Sequence, residues 1–216
     1  MKGQSIPKGI LVTEFSLLYL ILPLAYTLGS FRFSPLLPLA LLTVLCVIIL
    51  VRDSSFDRRR LTRLRLEPAL LRGILGRYLL AIVVLTVGLM IWRPDMLLGF
   101  VRQRPLMWAL VMVLYPLFSV YPQEILYRAF LFHRYRPLFS SEQMRVHLSA
   151  AAFALVHIIF LNPLALVLSW AGGYIFARTY QRSQSLLLVS LEHALYGCLI
   201  FTVGLGSFFY HGTGRY

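Results

Sequence analysis

The chain has 216 residues, of which 59% are apolar and 13% charged, and its formal net charge at pH 7 is +13. A soluble domain is nearer half apolar and about one quarter charged, so this composition argues against a soluble enzyme. The arginines flank long apolar runs instead of lining one exposed face. Their charge therefore indicates anionic membrane lipid as the partner and argues against nucleic acid.

Seven apolar segments, separated by basic or Pro/Gly-containing stretches, predict about seven transmembrane helices. No stretch between them is long enough to bury a core of its own. We therefore expect an all-α integral membrane protein, with residues 1–216 forming a single polytopic membrane domain. In chain order the predicted spans cover about 9–29, 35–51, 73–92, 105–121, 146–162, 164–180 and 185–206.

Basic residues predict the orientation of these spans. They concentrate in the segments that a cytoplasmic N-terminus places inside, above all in the arginine-rich stretch 52–72. This bias predicts an N-terminus in the cytoplasm. The stretch itself is either a short helix in the headgroup layer or a solvated loop. The first span is too long for a signal peptide and no small-residue cleavage site follows it, so we expect a protein of the bacterial inner membrane.

Ionisable residues inside apolar spans cost about 2.5–3.5 kcal/mol each on insertion scales and usually serve a function. Glu124 and Arg128 are four residues apart, on one helix face, where they can form an ion pair. His157 and His193 lie in two further spans. A carboxylate and an imidazole on facing helices can activate water, and a second imidazole can donate to an oxyanion. The same side chains could instead bind zinc, although nothing has HExxH spacing.

Three short motifs occur in order along the C-terminal part of the chain. They are Gln123-Glu124-Ile-Leu-Tyr-Arg128, Phe153-Ala-Leu-Val-His157 and His193-Ala-Leu-Tyr-Gly197. They are similar to EExxxR, FxxxH and a histidine followed after three residues by Asn, Asp or Ser. In these motifs the sequence resembles the CPBP family of intramembrane proteases, which are related to CAAX prenyl endopeptidases and to Abi-type bacteriocin-processing proteins. The resemblance covers about residues 121–206.

The resemblance implies an all-helical membrane fold whose active site opens towards the cytosolic side and the lipid. It implies that a first-motif glutamate and His157 activate water, while His193 and its partner four residues on stabilise the oxyanion. Arg128 is then the orienting partner of the carboxylate. The implied mechanism is that of a glutamic-type peptidase without a metal cofactor. A zinc-dependent alternative would use Glu124, His157 and His193.

Two positions depart from the pattern of the family. Gln123 stands where the family has its water-activating glutamate, and an amide accepts no proton at neutral pH. Either Glu124 takes that role or the chain is catalytically weak, although Gln123 could still orient a water. Gly197 stands where the family has a polar residue, and losing one oxyanion donor costs about 10²–10³ in rate. Tyr196 or a backbone N–H could compensate.

The sequence therefore predicts an intramembrane endopeptidase acting on a membrane-associated protein or peptide. Its predicted catalytic residues are Glu124, His157, His193, Arg128 and Gln123. Two alternatives stay open. One is a pseudoprotease that binds membrane peptides without cutting them, for which Gln123 and Gly197 argue. The other is a proton-coupled transporter in which Glu14 and Glu192 join the buried charges, although no inverted repeat is visible.

Overall fold

The computed structural model describes residues 6–29 and 33–209. Within these two ranges the secondary structure is helical and contains no strand. In chain order the helices are α1 (Lys8–Leu28), α2 (Leu36–Arg52), α3 (Arg59–Thr62), α4 (Pro68–Trp92), α5 (Gly99–Gln103), α6 (Pro105–Arg134), α7 (Glu142–Phe160), α8 (Pro163–Ser183) and α9 (Leu186–Val203). Single 3₁₀ turns cover Pro94–Met96, Arg136–Leu138 and Leu205–Phe209.

Five of the helices, α1, α4, α6, α7 and α9, are long and apolar enough to cross a membrane. Large apolar side chains stay exposed on their outer faces, as at Ile91 (80% exposed) and Leu106 (74%). Such a surface is unfavourable in water and matches the lipid interior of a bilayer. The predicted all-α integral membrane fold is confirmed. Each of the seven predicted spans coincides with a helix, while the seven-span count and the cytoplasmic N-terminus stay predictions.

Helix boundaries follow the proline and capping signals of the sequence. The predicted break at Pro163 is the first residue of α8, where a missing N–H costs little. The side chain of Asn162 accepts from the backbone N–H of Leu164 at 2.9 Å and so caps the same helix. Ser185 caps α9 and also donates its hydroxyl to the carbonyl of Arg63 at 2.6 Å. This contact fixes the start of α9 against the basic segment.

Helix α6 continues through two prolines instead of ending at the first of them. Pro116 opens a π-helical turn over Pro116–Val120, and Pro122 precedes a second one over Ile125–Phe130. Proline removes one hydrogen bond from the helical ladder, and a wider turn accommodates its ring without breaking the helix. The sequence predicted that the span ends near residue 121, whereas α6 runs on to Arg134. The continuation carries the first sequence motif into the protein interior.

Helices α7 and α8 approach each other closely at one glycine. A Cβ built on Gly173 would lie 3.1 Å from the ring of Phe153 and 3.2 Å from the backbone of Ala150. At Gly172 it would meet only the ring of Phe176, on its own helix. Of the glycine pair in the sixth predicted span, Gly173 is therefore the one that permits the close contact between helices.

The basic segment between α2 and α4 is helical only at α3 and is tied to the helices around it. The hydroxyl of Tyr121 donates to the carbonyl of Leu61 at 3.1 Å. The carboxylate of Asp53 accepts hydrogen bonds from Ser55 and from His133 Nε2, the latter at 2.8 Å. These bonds, that of Ser55 first, lower the pKa of Asp53 to about 2. The helical part of this segment, which the sequence allowed as a short helix in the headgroup layer, is thus a single turn.

Candidate active site

A buried ion pair on α6 forms the centre of the site. Arg128 Nε lies 3.2 Å from Glu124 Oε2, and both side chains are fully buried. The guanidinium also donates to the hydroxyl of Ser149 at 2.9 Å and to the carbonyl of Gly173 at 3.4 Å. It lies 5.0 Å from the centre of the Phe153 ring, within the range of a cation–π contact. These contacts hold the charged pair away from lipid and water.

His193 on α9 connects to this ion pair through a hydrogen bond with Glu124. Its Nδ1 lies 2.9 Å from Glu124 Oε1, and because a carboxylate only accepts, Nδ1 carries the hydrogen. The other ring nitrogen, Nε2, lies 3.2 Å from the hydroxyl of Tyr115 on α6. The ring of Phe176 stacks on the imidazole with centroids 4.5 Å apart. Arg128, Glu124, His193 and Tyr115 are thus linked in series.

His157 reaches the same region from α7, where the α-helical part gives way to a 3₁₀ turn. Its Nδ1 lies 2.7 Å from the carbonyl of Phe153, which accepts only, so Nδ1 carries the hydrogen. In the neutral ring Nε2 is then the acceptor nitrogen. The Phe153 ring lies 4.7 Å from the His157 ring and 5.3 Å from the His193 ring. The two histidines therefore share one aromatic wall.

Gln123 projects away from its neighbour Glu124. Its Nε2 donates to the hydroxyl of Ser119 at 2.7 Å, one turn earlier on α6. Its Oε1 is buried and has no hydrogen-bond partner within the two described ranges. The structure thus brings Glu124, Arg128 and His193 into direct contact and joins His157 to them through Phe153, while Gln123 lies on an adjacent face.

Tyr115 is a polar residue of the site that the sequence motifs do not include. Tyr115, Ser119 and Gln123 recur every four residues along an otherwise apolar helix. This polar stripe is the signal by which Tyr115 could have been found. Tyr196, the tyrosine that the sequence offered as compensation for Gly197, instead has its ring 5.8 Å from Tyr78.

The buried carboxylate of Glu192 and the partly buried carboxylate of Glu14 have their own partners outside the site. Glu192, next to His193, accepts from Arg77 Nη2 at 2.8 Å. Glu14 accepts from Arg134 at 2.8 and 3.1 Å and from a tyrosine hydroxyl at 2.9 Å. Both pairs are separate from the Glu124–Arg128 pair.

The side chains that the sequence offered as alternative zinc ligands have other polar partners in this structure. Among residues 6–29 and 33–209, no group of three His, Cys, Asp or Glu side chains is placed to hold a metal ion. The oxygens of Glu124 face His193 Nδ1 and Arg128 Nε. These contacts are a hydrogen bond with His193 and an ion pair with Arg128.

Comparison with known proteins gives one family match. A family model described as type II CAAX prenyl endopeptidase Rce1-like matches residues 105–199. The match begins at the first residue of α6 and extends into α9, so it contains Tyr115 together with all three sequence motifs. No curated protein and no solved structure matches the chain.

Proposed function

We propose that this chain is an intramembrane protease of the CPBP family, which its Rce1-like residues 105–199 support, and that it hydrolyses a peptide bond of a membrane-associated protein or peptide. The observation that carries the proposal is the buried chain of Arg128, Glu124 and His193, with His157 beside it. Buried charges in a membrane protein are costly, and a matched pair joined to a histidine is suited to polar chemistry.

In the proposed reaction His157 activates the water. Its Nε2 accepts a proton from the water while the water oxygen bonds to the carbonyl carbon of the scissile peptide. The π electrons of the carbonyl move to its oxygen and create an oxyanion, which His193 stabilises on the other side of Phe153. When the oxyanion collapses, the C–N bond breaks and His157 returns its proton to the leaving nitrogen. The tautomer imposed by the Phe153 carbonyl supports this role for His157.

For Glu124 we propose that it holds His193 in position. This role is additional to the water activation that the family pattern assigns to its first glutamate. Oε1 accepts from His193 and Oε2 faces Arg128, so the carboxylate is engaged on both oxygens. Glu124 then keeps His193 in one tautomer and orientation, and Gln123 Oε1 accepts a hydrogen from the attacking water.

The proposed substrate is a peptide segment that reaches the site from the membrane or its cytosolic face. The exposed apolar flanks of α4 and α6 support a lipid-bound location for the enzyme. We place it in the inner membrane of a bacterium, with the arginine-rich segment in contact with anionic headgroups on the cytoplasmic side.

The proposal is tested by mass spectrometry of protein termini in membranes from cells that carry the wild-type chain, Glu124→Ala or His157→Ala at matched abundance. We expect at least one cleaved terminus that is present with the wild type and lost in both variants. Glu142→Ala and His147→Ala, two changes of the same residue types on α7 outside the site, serve as controls and should keep that terminus. Identical termini in all samples would rule out the peptidase.

The pseudoprotease remains the second candidate, because Gln123 and Gly197 depart from the family pattern. In a pseudoprotease the wild type cleaves nothing, and Gln123→Glu restores the water-activating carboxylate. Cleavage that appears only with Gln123→Glu would favour this second candidate over the enzyme.

A further inference from the structure

The site contains a hydroxyl at the place where the family pattern leads one to expect the side chain of residue 197. A Cβ built on Gly197 would overlap the hydroxyl oxygen and two ring carbons of Tyr115. No side chain larger than hydrogen fits at position 197 while Tyr115 keeps this position. The glycine on α9 and the tyrosine on α6 are therefore two halves of one arrangement.

The hydroxyl of Tyr115 has a polar partner there. It lies 3.2 Å from His193 Nε2, and the two rings meet edge to face at 82° with centroids 6.2 Å apart. The Tyr115 ring also packs edge to face against Phe201, one turn beyond Gly197 on α9, at 5.4 Å. This packing fixes the ring, so the hydroxyl is presented to the histidine in one orientation.

We propose that the hydroxyl of Tyr115 is the second oxyanion donor of the enzyme and replaces the polar side chain that position 197 lacks. The inference rests on the proposed peptidase function. Nδ1 of His193 donates to Glu124, and when Nε2 also carries a hydrogen it donates to the oxyanion beside the tyrosine oxygen. The hydroxyl hydrogen is then free to donate to the oxyanion that forms when water attacks the peptide carbonyl. Tyr115 is in that case a catalytic residue in direct contact with the substrate oxygen.

This assignment also explains why Gly197 does not by itself indicate a loss of activity. A donor aimed at the developing negative charge is effective whichever helix supplies it, provided that it is held in place before the reaction. The alternative tyrosine, Tyr196, lies against Tyr78 and Phe176 instead. Tyr115 is therefore the tyrosine whose hydroxyl is in contact with the catalytic histidine.

The test measures hydrolysis of a synthetic peptide that spans the cleavage site found in the membrane termini, by purified protein in lipid nanodiscs. Tyr115→Phe removes only the hydroxyl and should lower kcat by about 10²- to 10³-fold with KM changed by less than about threefold. Tyr135→Phe is the matched control, since Tyr135 is a buried tyrosine whose hydroxyl donates to a charged side chain, Glu14, outside the site. It should keep the wild-type kcat.

A second arm exchanges the two halves of the arrangement. Gly197→Asn should lower the thermal midpoint of the protein because of the overlap with Tyr115, and Tyr115→Ala in the same chain should restore much of it. The double variant should also cleave faster than Tyr115→Ala alone, because the asparagine amide can donate in place of the hydroxyl.

The outcomes separate this inference from the proposed function. Wild-type hydrolysis with an unchanged kcat for Tyr115→Phe overturns the oxyanion role and leaves the peptidase standing. Absence of wild-type hydrolysis overturns both. If Gly197→Asn is as stable as the wild type, the steric exchange between positions 115 and 197 is wrong.

Discussion

Buried charge is matched residue by residue in this protein. Arg128 has a carboxylate, a hydroxyl, a carbonyl and an aromatic face around it, and each lies within the usual contact distance. The pairing of Arg128 with Glu124 could be predicted from sequence because it depends only on a spacing of four residues. The contacts of His193 could not, since its partners lie 69 and 78 residues away along the chain.

Replacing Arg128 by methionine tests how much the buried pair stabilises the fold. Arg128→Met keeps most of the side-chain length but leaves the Glu124 carboxylate buried without its cation, which costs about 3–5 kcal/mol. We expect a clear fall of the thermal midpoint in detergent, measured by size-exclusion chromatography of heated samples. Arg93→Met breaks an exposed ion pair with Asp95 and should leave the midpoint unchanged. Equal midpoints for both variants would contradict the stabilising role of the buried pair.

Helix α6 deviates from regular α-helical geometry next to the candidate site. The prolines of α6 were visible in the sequence, and the predicted span ended near residue 121. The helix instead continues through two wider turns and is packed against neighbouring helices. Sequence periodicity does not reveal this outcome, since it depends on tertiary packing.

At the end of α9, Gly204 shows a second local requirement. Its φ is +119°, and a Cβ there would overlap the carbonyl oxygen of Met96 in the turn after α4. Gly204→Ala should therefore destabilise the protein by about 1–3 kcal/mol. A shift to a lower thermal midpoint in detergent checks the prediction.

Gly88→Ala is the matched control for this change. Gly88 lies in α4, and a Cβ on it would have no neighbour within 4 Å. Alanine is the better helix former, so this variant should be as stable as the wild type or more so. A Gly204→Ala protein with the same midpoint as Gly88→Ala would show that the end of α9 can rearrange without cost.

At the scale of the whole molecule, the sequence predicted the class of fold and the helices that carry the site. Long apolar runs are a strong signal, because a bilayer allows few alternatives to helices. The order and placement of the three motifs also predicted a candidate site on α6, α7 and α9, and the structure brings these motifs together. Relative placement of the helices around it depends on contacts such as that of Gly173 with Ala150, which no local pattern contains.

The predicted orientation can be tested by cysteine labelling. In a chain with Cys46 and Cys198 replaced by alanine, Asp57→Cys lies in the arginine-rich segment and Gln103→Cys at the end of α5, between α4 and α6. With the N-terminus inside, a membrane-impermeant maleimide added to intact cells should label Gln103→Cys and should label Asp57→Cys only after lysis. The reverse pattern would invert the topology and place the arginine-rich segment outside, against the positive-inside bias.

The two kinds of buried ion pair have different consequences for biogenesis. Glu124 and Arg128 belong to one helix, so α6 carries its own counterion and can enter the bilayer as a nearly neutral segment before any other helix packs against it. Glu192 on α9 instead depends on Arg77 of α4, which is synthesised more than a hundred residues earlier. Insertion of α9 is thereby coupled to Arg77 of α4, which is already in the membrane when α9 is synthesised. A newly made chain that lacked α4 would have to place the carboxylate of Glu192 in lipid without this cation.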